Sequence, residues 1–175
     1  QLEKTRGVVQ SNTFNNAEVD ITLFTGCGTS FYLAIAAARY YQSATGEIAV
    51  AVPASELFLH NDTHILPNKK YNLIGISRSG TTSEIIMALE HLKDDKNIRS
   101  MAVTCNGNTP MANAADEVIA LEHISEKSVV MTQSFSNMLY ALQFYAAKKS
   151  ERSDLMSQLE RIPDLVKIAL GNGEL

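Results

Sequence analysis

The chain alternates short apolar runs with longer stretches of mixed pattern. Five runs read as strands: residues 20–25, 47–52, 71–76, 98–104 and 117–121. They are rich in β-branched and aliphatic residues, and near-continuous in hydrophobicity rather than alternating. That is the pattern of strands covered on both faces, so the spacing predicts a parallel sheet between helices. The segments between them predict helices at residues 2–10, 31–42, 53–60 and from Ser83 to about residue 94, with one turn at 111–115. Two more are predicted at 128–149 and 153–170, the last broken or started at Pro163. Residues 61–70 and 122–127 read as loops. The alanine-rich helical stretches 33–41 and 138–147 suit close packing, either within this domain or against another domain or subunit.

In a parallel sheet, ligands bind beyond the carboxyl ends of the strands. Three turns gather there by construction, after the first, third and fifth strands. The most informative is the third: Ser77, Arg78, Ser79, Gly80, Thr81 and Thr82 separate a buried strand from a helix. Hydroxyls, a glycine and an arginine thus stand where the first N–H groups of a helix lack partners, which is chemistry suited to a phosphate. Ser79 and Thr82 can each cap the helix or bond a phosphate oxygen. Thr81 and Glu84, three apart, fit a capping box. Arg78 can add charge-assisted bonds to an anion or face solvent.

The first turn, Gly26, Cys27, Gly28, Thr29 and Ser30, has two glycines and two hydroxyls at a helix start. Phe31 stands where a dinucleotide fingerprint needs glycine, and Val52 and Pro53 stand where it needs an acid. No Gly-Lys-Ser/Thr triplet of a nucleotide P-loop occurs. In the fifth turn and the helix after it, Glu126, Lys127, Ser128, Val129, Val130, Met131 and Thr132 can close the floor of a pocket, with Lys127 a solvated loop lysine.

Composition narrows the field. A chain of 175 residues can bury one real core. Its net charge of −4 argues against nucleic acid as the main partner. No run of about 18 apolar residues predicts a membrane helix, and residues 1–6 lack the form of a signal peptide. The expected location is the cytoplasm, where Cys27 and Cys105 would be reduced, buried thiols. His60 and His64 stand four apart without a third ligand, so no metal or other cofactor is expected. No nucleophile elbow is visible.

Gly28, Thr29 and Ser30, the 77–82 turn, the 126–135 segment, and Pro53, Ala54, Ser55 and Glu56 together resemble the SIS (sugar isomerase) domain over about residues 20–150. The 128–135 stretch most resembles the AgaS branch, the tagatose-6-phosphate ketose/aldose isomerases or galactosamine-6-phosphate deaminase/isomerases; the isomerase half of glucosamine-6-phosphate synthase is a more distant relative. The resemblance implies a flavodoxin-like three-layer αβα sandwich with a five-stranded parallel sheet. It implies that Ser77, Arg78, Ser79 and Thr82 hold a phosphate. Thr29 and Ser30, beside Gly28, would contact sugar hydroxyls, and Val129 backbone would face the C1–C2 end. The implied substrate is a phosphorylated sugar and the implied reaction aldose–ketose isomerisation, with or without deamination, of a hexosamine 6-phosphate. A non-catalytic module that senses a sugar phosphate is the alternative.

Enzymes of this branch carry two SIS domains, so the expected organisation is a lead-in at 1–19, one SIS domain at 20–150 and a helix at 151–175 leading to a second domain and a homo-oligomer. Because the sequence opens on Gln1, further residues are expected upstream. The catalytic acid and base are unassigned. Glu56 and Glu126 are the local carboxylates to consider, and Glu56 fits better as a helix-start residue.

Overall fold

A computed structural model describes residues 1–15 and 17–171. The elements run α1 (Leu2–Ser11), β1 (Ile21–Gly26), α2 (Thr29–Thr45), β2 (Ile48–Pro53), α3 (Ala54–Leu59), α4 (Asn61–His64), β3 (Tyr71–Ser77), α5 (Ser83–Leu92), β4 (Ile98–Thr104), α6 (Pro110–Ala114), β5 (Glu117–Ala120), α7 (Gln133–Lys149) and α8 (Ser153–Gly171). The five strands form one parallel sheet in the order β2-β1-β3-β4-β5. This is the flavodoxin-like order, and its switch point lies between β1 and β3.

The continuous apolar runs have the consequence expected of them: β1, β3 and β4 are buried along nearly their whole length. One face of the sheet packs against α1, α2, α7 and α8 through Phe24, Leu33, Tyr41, Met138 and Phe144. The other packs against α3, α5 and α6 through Leu57, Leu73, Ile85, Leu89 and Met111. The alanine-rich helices therefore meet each other: Ala34, Ala37 and Ala38 of α2 and Ala141 and Ala146 of α7 are all buried in the same core. Small side chains let the two backbones approach closely.

Register decides where the site can form. Gly26 at the end of β1 lies opposite both Pro53 of β2 and Ile76 of β3, and Ser77 lies opposite Thr104 of β4. The turns that follow these strands therefore emerge side by side.

Three sequence expectations need correction. The helix expected at 128–149, α7, begins at Gln133, because the Glu126 carboxylate takes the N–H groups of Thr132, Gln133 and Ser134. α8 runs unbroken through Pro163. A proline leaves the carbonyl four residues earlier without its helical donor. Here the buried Tyr140 hydroxyl donates to that carbonyl, Leu159 O, at 2.9 Å. Finally, α4 occupies part of the expected 61–70 loop, between His60 and Ile65.

Candidate functional site

At the switch point, Cys27, Thr29, Ser30, Ser77, Arg78, Ser79, Thr82, Val129 and Met131 line a cleft of about 190 Å³. Seven of the eight expected site residues meet there. Gly28 instead borders an adjoining cleft of about 200 Å³ with Cys27, Ser55 and Glu84. Its φ of 53° with ψ of −125° belongs to a region open essentially to glycine.

The post-β3 turn is held from inside. Ser77 is buried, and its Oγ accepts the Gly80 N–H at 3.1 Å and shares a 2.8 Å hydrogen bond with Thr82 Oγ1. Ser79 Oγ accepts the Thr81 N–H at 3.2 Å and the Thr81 hydroxyl at 3.0 Å. The turn's backbone is pinned to its neighbours. The Arg78 carbonyl accepts from Cys105 N–H and Thr104 Oγ1, and the Gly80 carbonyl accepts from Met111 N–H. Gly80 has φ of 68°, and a Cβ there would stand 2.3 Å from Thr109 Oγ1. Only glycine satisfies both constraints.

The capping box expected of Thr81 and Glu84 is not formed. Thr82 is the N-cap of α5 and makes no side-chain capping bond, because its hydroxyl is turned to Ser77. The first-turn N–H groups of α5 thus receive no capping acceptor from Thr82, and the carboxylate in that turn, Glu84, is the only acidic side chain in it. α2 also starts here with no side-chain cap. Hydroxyls, glycine backbone and two helix starts converge on one opening, an arrangement suited to an anion.

The Arg78 side chain is engaged within the protein. Its Nη1 donates to the Ser128 carbonyl at 2.7 Å and to the Val129 carbonyl at 3.4 Å, and lies 3.7 Å from Glu126 Oε2. The sequence offered Glu126 as a carboxylate to consider but concealed its role as a helix cap. Its side chain is 5% exposed. It accepts from the N–H groups of Thr132, Gln133 and Ser134 and from the hydroxyls of Thr132 and Ser134. Burial alone would raise its pKa. The bonds from Ser134, Thr132 and Gln133 overcome that penalty and hold the carboxyl down to about 2. A carboxylate so engaged is a poor proton acceptor. Glu126 stands six residues before the Thr132 N-cap, outside any local capping spacing, so no sequence signal announced it.

Met131, in the segment expected to close the floor of a pocket, lines the cleft, and so does Cys27, which had not been singled out for it; Ser30 Oγ donates to Met131 Sδ at 3.6 Å. Both cysteines are free and half-buried rather than fully buried. Burial, with Glu84 adding to it, pushes the Cys27 thiol up, and burial pushes Cys105 up to about 11. Both therefore stay protonated and weakly nucleophilic near neutrality. Glu56 lies away from the cleft, 3.8 Å from His64. His60 is the break residue between α3 and α4, and His64 ends α4. Among the described residues, no group of three or more His, Cys, Asp or Glu could hold a metal ion, and no helix is long and apolar enough to cross a membrane.

Comparison with known proteins agrees with this architecture. The chain is 27% identical over 167 residues to glutamine–fructose-6-phosphate aminotransferase (isomerizing) of Caldanaerobacter subterraneus subsp. tengcongensis, covering 90% of this chain and 27% of that protein. Among solved structures it is similar to glucosamine-6-phosphate deaminase from Thermotoga maritima, with a TM-score of 0.72, 25% identity and coverage of 95% of this chain and 52% of that one. It shares its fold with tagatose-6-phosphate ketose/aldose isomerase from Escherichia coli, at a TM-score of 0.69, 20% identity and coverage of 95% and 46%. The chain thus spans about a quarter of that aminotransferase and about half of those two solved chains. The SIS domain model matches residues 18–148, three quarters of the chain, and the chain belongs to the SIS domain family.

Proposed function

We propose that the cleft holds the phosphate of a sugar phosphate. The hydroxyls of Ser79 and Thr82 and the first turn of α5 would be its ligands, with Ser77 keeping the turn in shape. The observation that carries this reading is the convergence of three separate segments, after β1, β3 and β5, on one cleft beside an uncapped helix start. Thr29, Ser30 and the Val129 backbone would meet the sugar. Binding energy gathered at the phosphate would orient carbons that react several bonds away.

The reaction proposed is aldose–ketose isomerisation of a hexosamine 6-phosphate, such as galactosamine 6-phosphate, with water hydrolysing the resulting C2 imine to give tagatose 6-phosphate and ammonia. The names of the deaminase and isomerase relatives support the class. Moving a proton between C1 and C2 needs a base and an acid. Among the described residues, no carboxylate lines the cleft, and Glu126 is occupied as a helix cap. We therefore assign proton transfer to a second SIS domain or a neighbouring subunit, consistent with the half-length coverage of the matched solved chains. The same missing carboxylate favours a second reading for this chain taken alone: a module that binds a sugar phosphate without turning it over.

Calorimetry with galactosamine 6-phosphate and with unphosphorylated galactosamine tests the binding site, and an ammonia and tagatose 6-phosphate assay tests the chemistry. Binding that requires the phosphate is expected. Equal affinity for the two sugars would remove the cradle, and binding without turnover in the native full-length protein would leave only the sensor reading.

A further inference from the structure

Among the described residues lining the cleft, Arg78 is the only charged one, yet its guanidinium is already engaged. It reaches across to the segment between β5 and α7, bonding the Ser128 and Val129 carbonyls beside the Glu126 carboxylate. That segment contains no helix or strand from residue 121 to 132. Its own backbone closes a turn only at the far end, where Ile124 N–H donates to the Leu121 carbonyl. Apolar burial does not hold the near part either: Val129 is 91% exposed and Val130 is exposed as well. Met131 anchors the far side of residues 126–132 by packing partly buried against the core; what fixes the exposed part around Val129 is polar, namely the Glu126 cap on α7 and Arg78.

We propose that Arg78 is a positioning residue: it fixes the 126–132 loop as the wall of the cleft through the Ser128 and Val129 carbonyls and Glu126, instead of giving its side chain to the phosphate. The chemistry suits the residue type. A planar guanidinium offers several donors at once and can serve two carbonyls while facing a carboxylate, whereas a lysine ammonium is a single point charge. The Glu126 carboxylate also offsets much of the arginine's charge, so the attraction left for an anion comes chiefly from the α5 start. Loss of Arg78 should accordingly be felt by the sugar end of a ligand more than by its phosphate. That second half rests on reading the cleft as a sugar-phosphate site; the fixing of the loop does not.

The test compares the intact chain with Arg78→Gln and Arg78→Lys by hydrogen exchange, and by calorimetry with inorganic phosphate and with glucosamine 6-phosphate. In Arg78→Gln, the amides of Thr132, Gln133 and Ser134, which donate to Glu126, should exchange about tenfold faster while those of β3 and β4 keep their protection. Inorganic phosphate affinity should change by less than about threefold and glucosamine 6-phosphate affinity should fall about tenfold. Arg78→Lys should recover part of the protection. Unchanged exchange at Thr132, Gln133 and Ser134 overturns the proposal whatever the ligands do. Equal losses for both ligands overturn it in favour of a direct phosphate contact. If the unaltered chain binds neither ligand, the sugar-phosphate reading falls, and the exchange result alone decides whether Arg78 fixes the loop.

Discussion

Two helices begin at the same edge of the sheet and treat their first turns in opposite ways. At α7 the chain folds a buried carboxylate, Glu126, onto the N–H groups of Thr132, Gln133 and Ser134. At α5 the N-cap Thr82 turns its hydroxyl inward to Ser77 and makes no capping bond. Both starts carry the same backbone dipole. One is capped by a side chain of the protein itself, and the other has no side-chain cap on its N-cap residue. A helix start is thus a poor guide to a binding site until one asks where its first N–H groups go.

The comparison can be broken at either end. The largest effect is expected at the open end, from Gly80→Ala. A positive φ and a Cβ 2.3 Å from Thr109 Oγ1 should destabilise the protein by about 3 kcal/mol, read as a lowered urea midpoint together with lost phosphate binding. A variant that retains both would mean that the turn's shape is not set by Gly80.

At the closed end, Glu126→Gln replaces an acceptor-only carboxylate with an amide whose NH₂ faces other donors. It should cost about 2 kcal/mol without directly removing a phosphate ligand. Its pH dependence is specific. The folded-state carboxyl lies near 2, below the ordinary 4.5, so its contribution is complete above about pH 4.5 and is lost as pH falls toward 2. The stability gap between the two proteins should therefore shrink over that window, as measured by denaturation at a series of pH values. A constant gap would show that the charge is not what caps α7.

Ser79→Ala and Thr82→Ala should each weaken binding of inorganic phosphate by about 1–2 kcal/mol. Thr82→Ala also frees a partner of buried Ser77, so its melting temperature should fall further than that of Ser79→Ala. Unchanged phosphate affinity in both would remove the cradle. The smallest effect is expected from Lys127→Ala, on the exposed side of the same loop, at under about 0.5 kcal/mol in stability with phosphate affinity unchanged. A large loss there would make Lys127, not the α5 start, the source of the cleft's attraction.

The turn after β3 was legible in the sequence because its chemistry is local. A strand, a Gly80 turn and a helix in immediate succession bring Ser77, Ser79 and Thr82 together whatever surrounds them. The misread details share one cause, in that each depends on a partner distant in the chain. The start of α7 is set by a loop carboxylate outside any capping spacing. Pro163 is tolerated because Tyr140, from another helix, supplies the donor that Leu159 O lost. Thr81 and Glu84 matched a capping box on paper, but Ser77 drew Thr82 into the N-cap position with its hydroxyl turned away from α5. Arg78 reads as an anion ligand until the Ser128 carbonyl is seen 2.7 Å from it.

Taken alone, the sequence determined the parallel sheet, its helical covering and the edge at which a ligand would bind, because hydrophobic run length and turn chemistry act over a few residues. Tertiary structure alone decided which helix start is open and which is closed. That choice depends on where a buried carboxylate finds its donors and an arginine its carbonyls, and neither partnership leaves a trace in residue spacing.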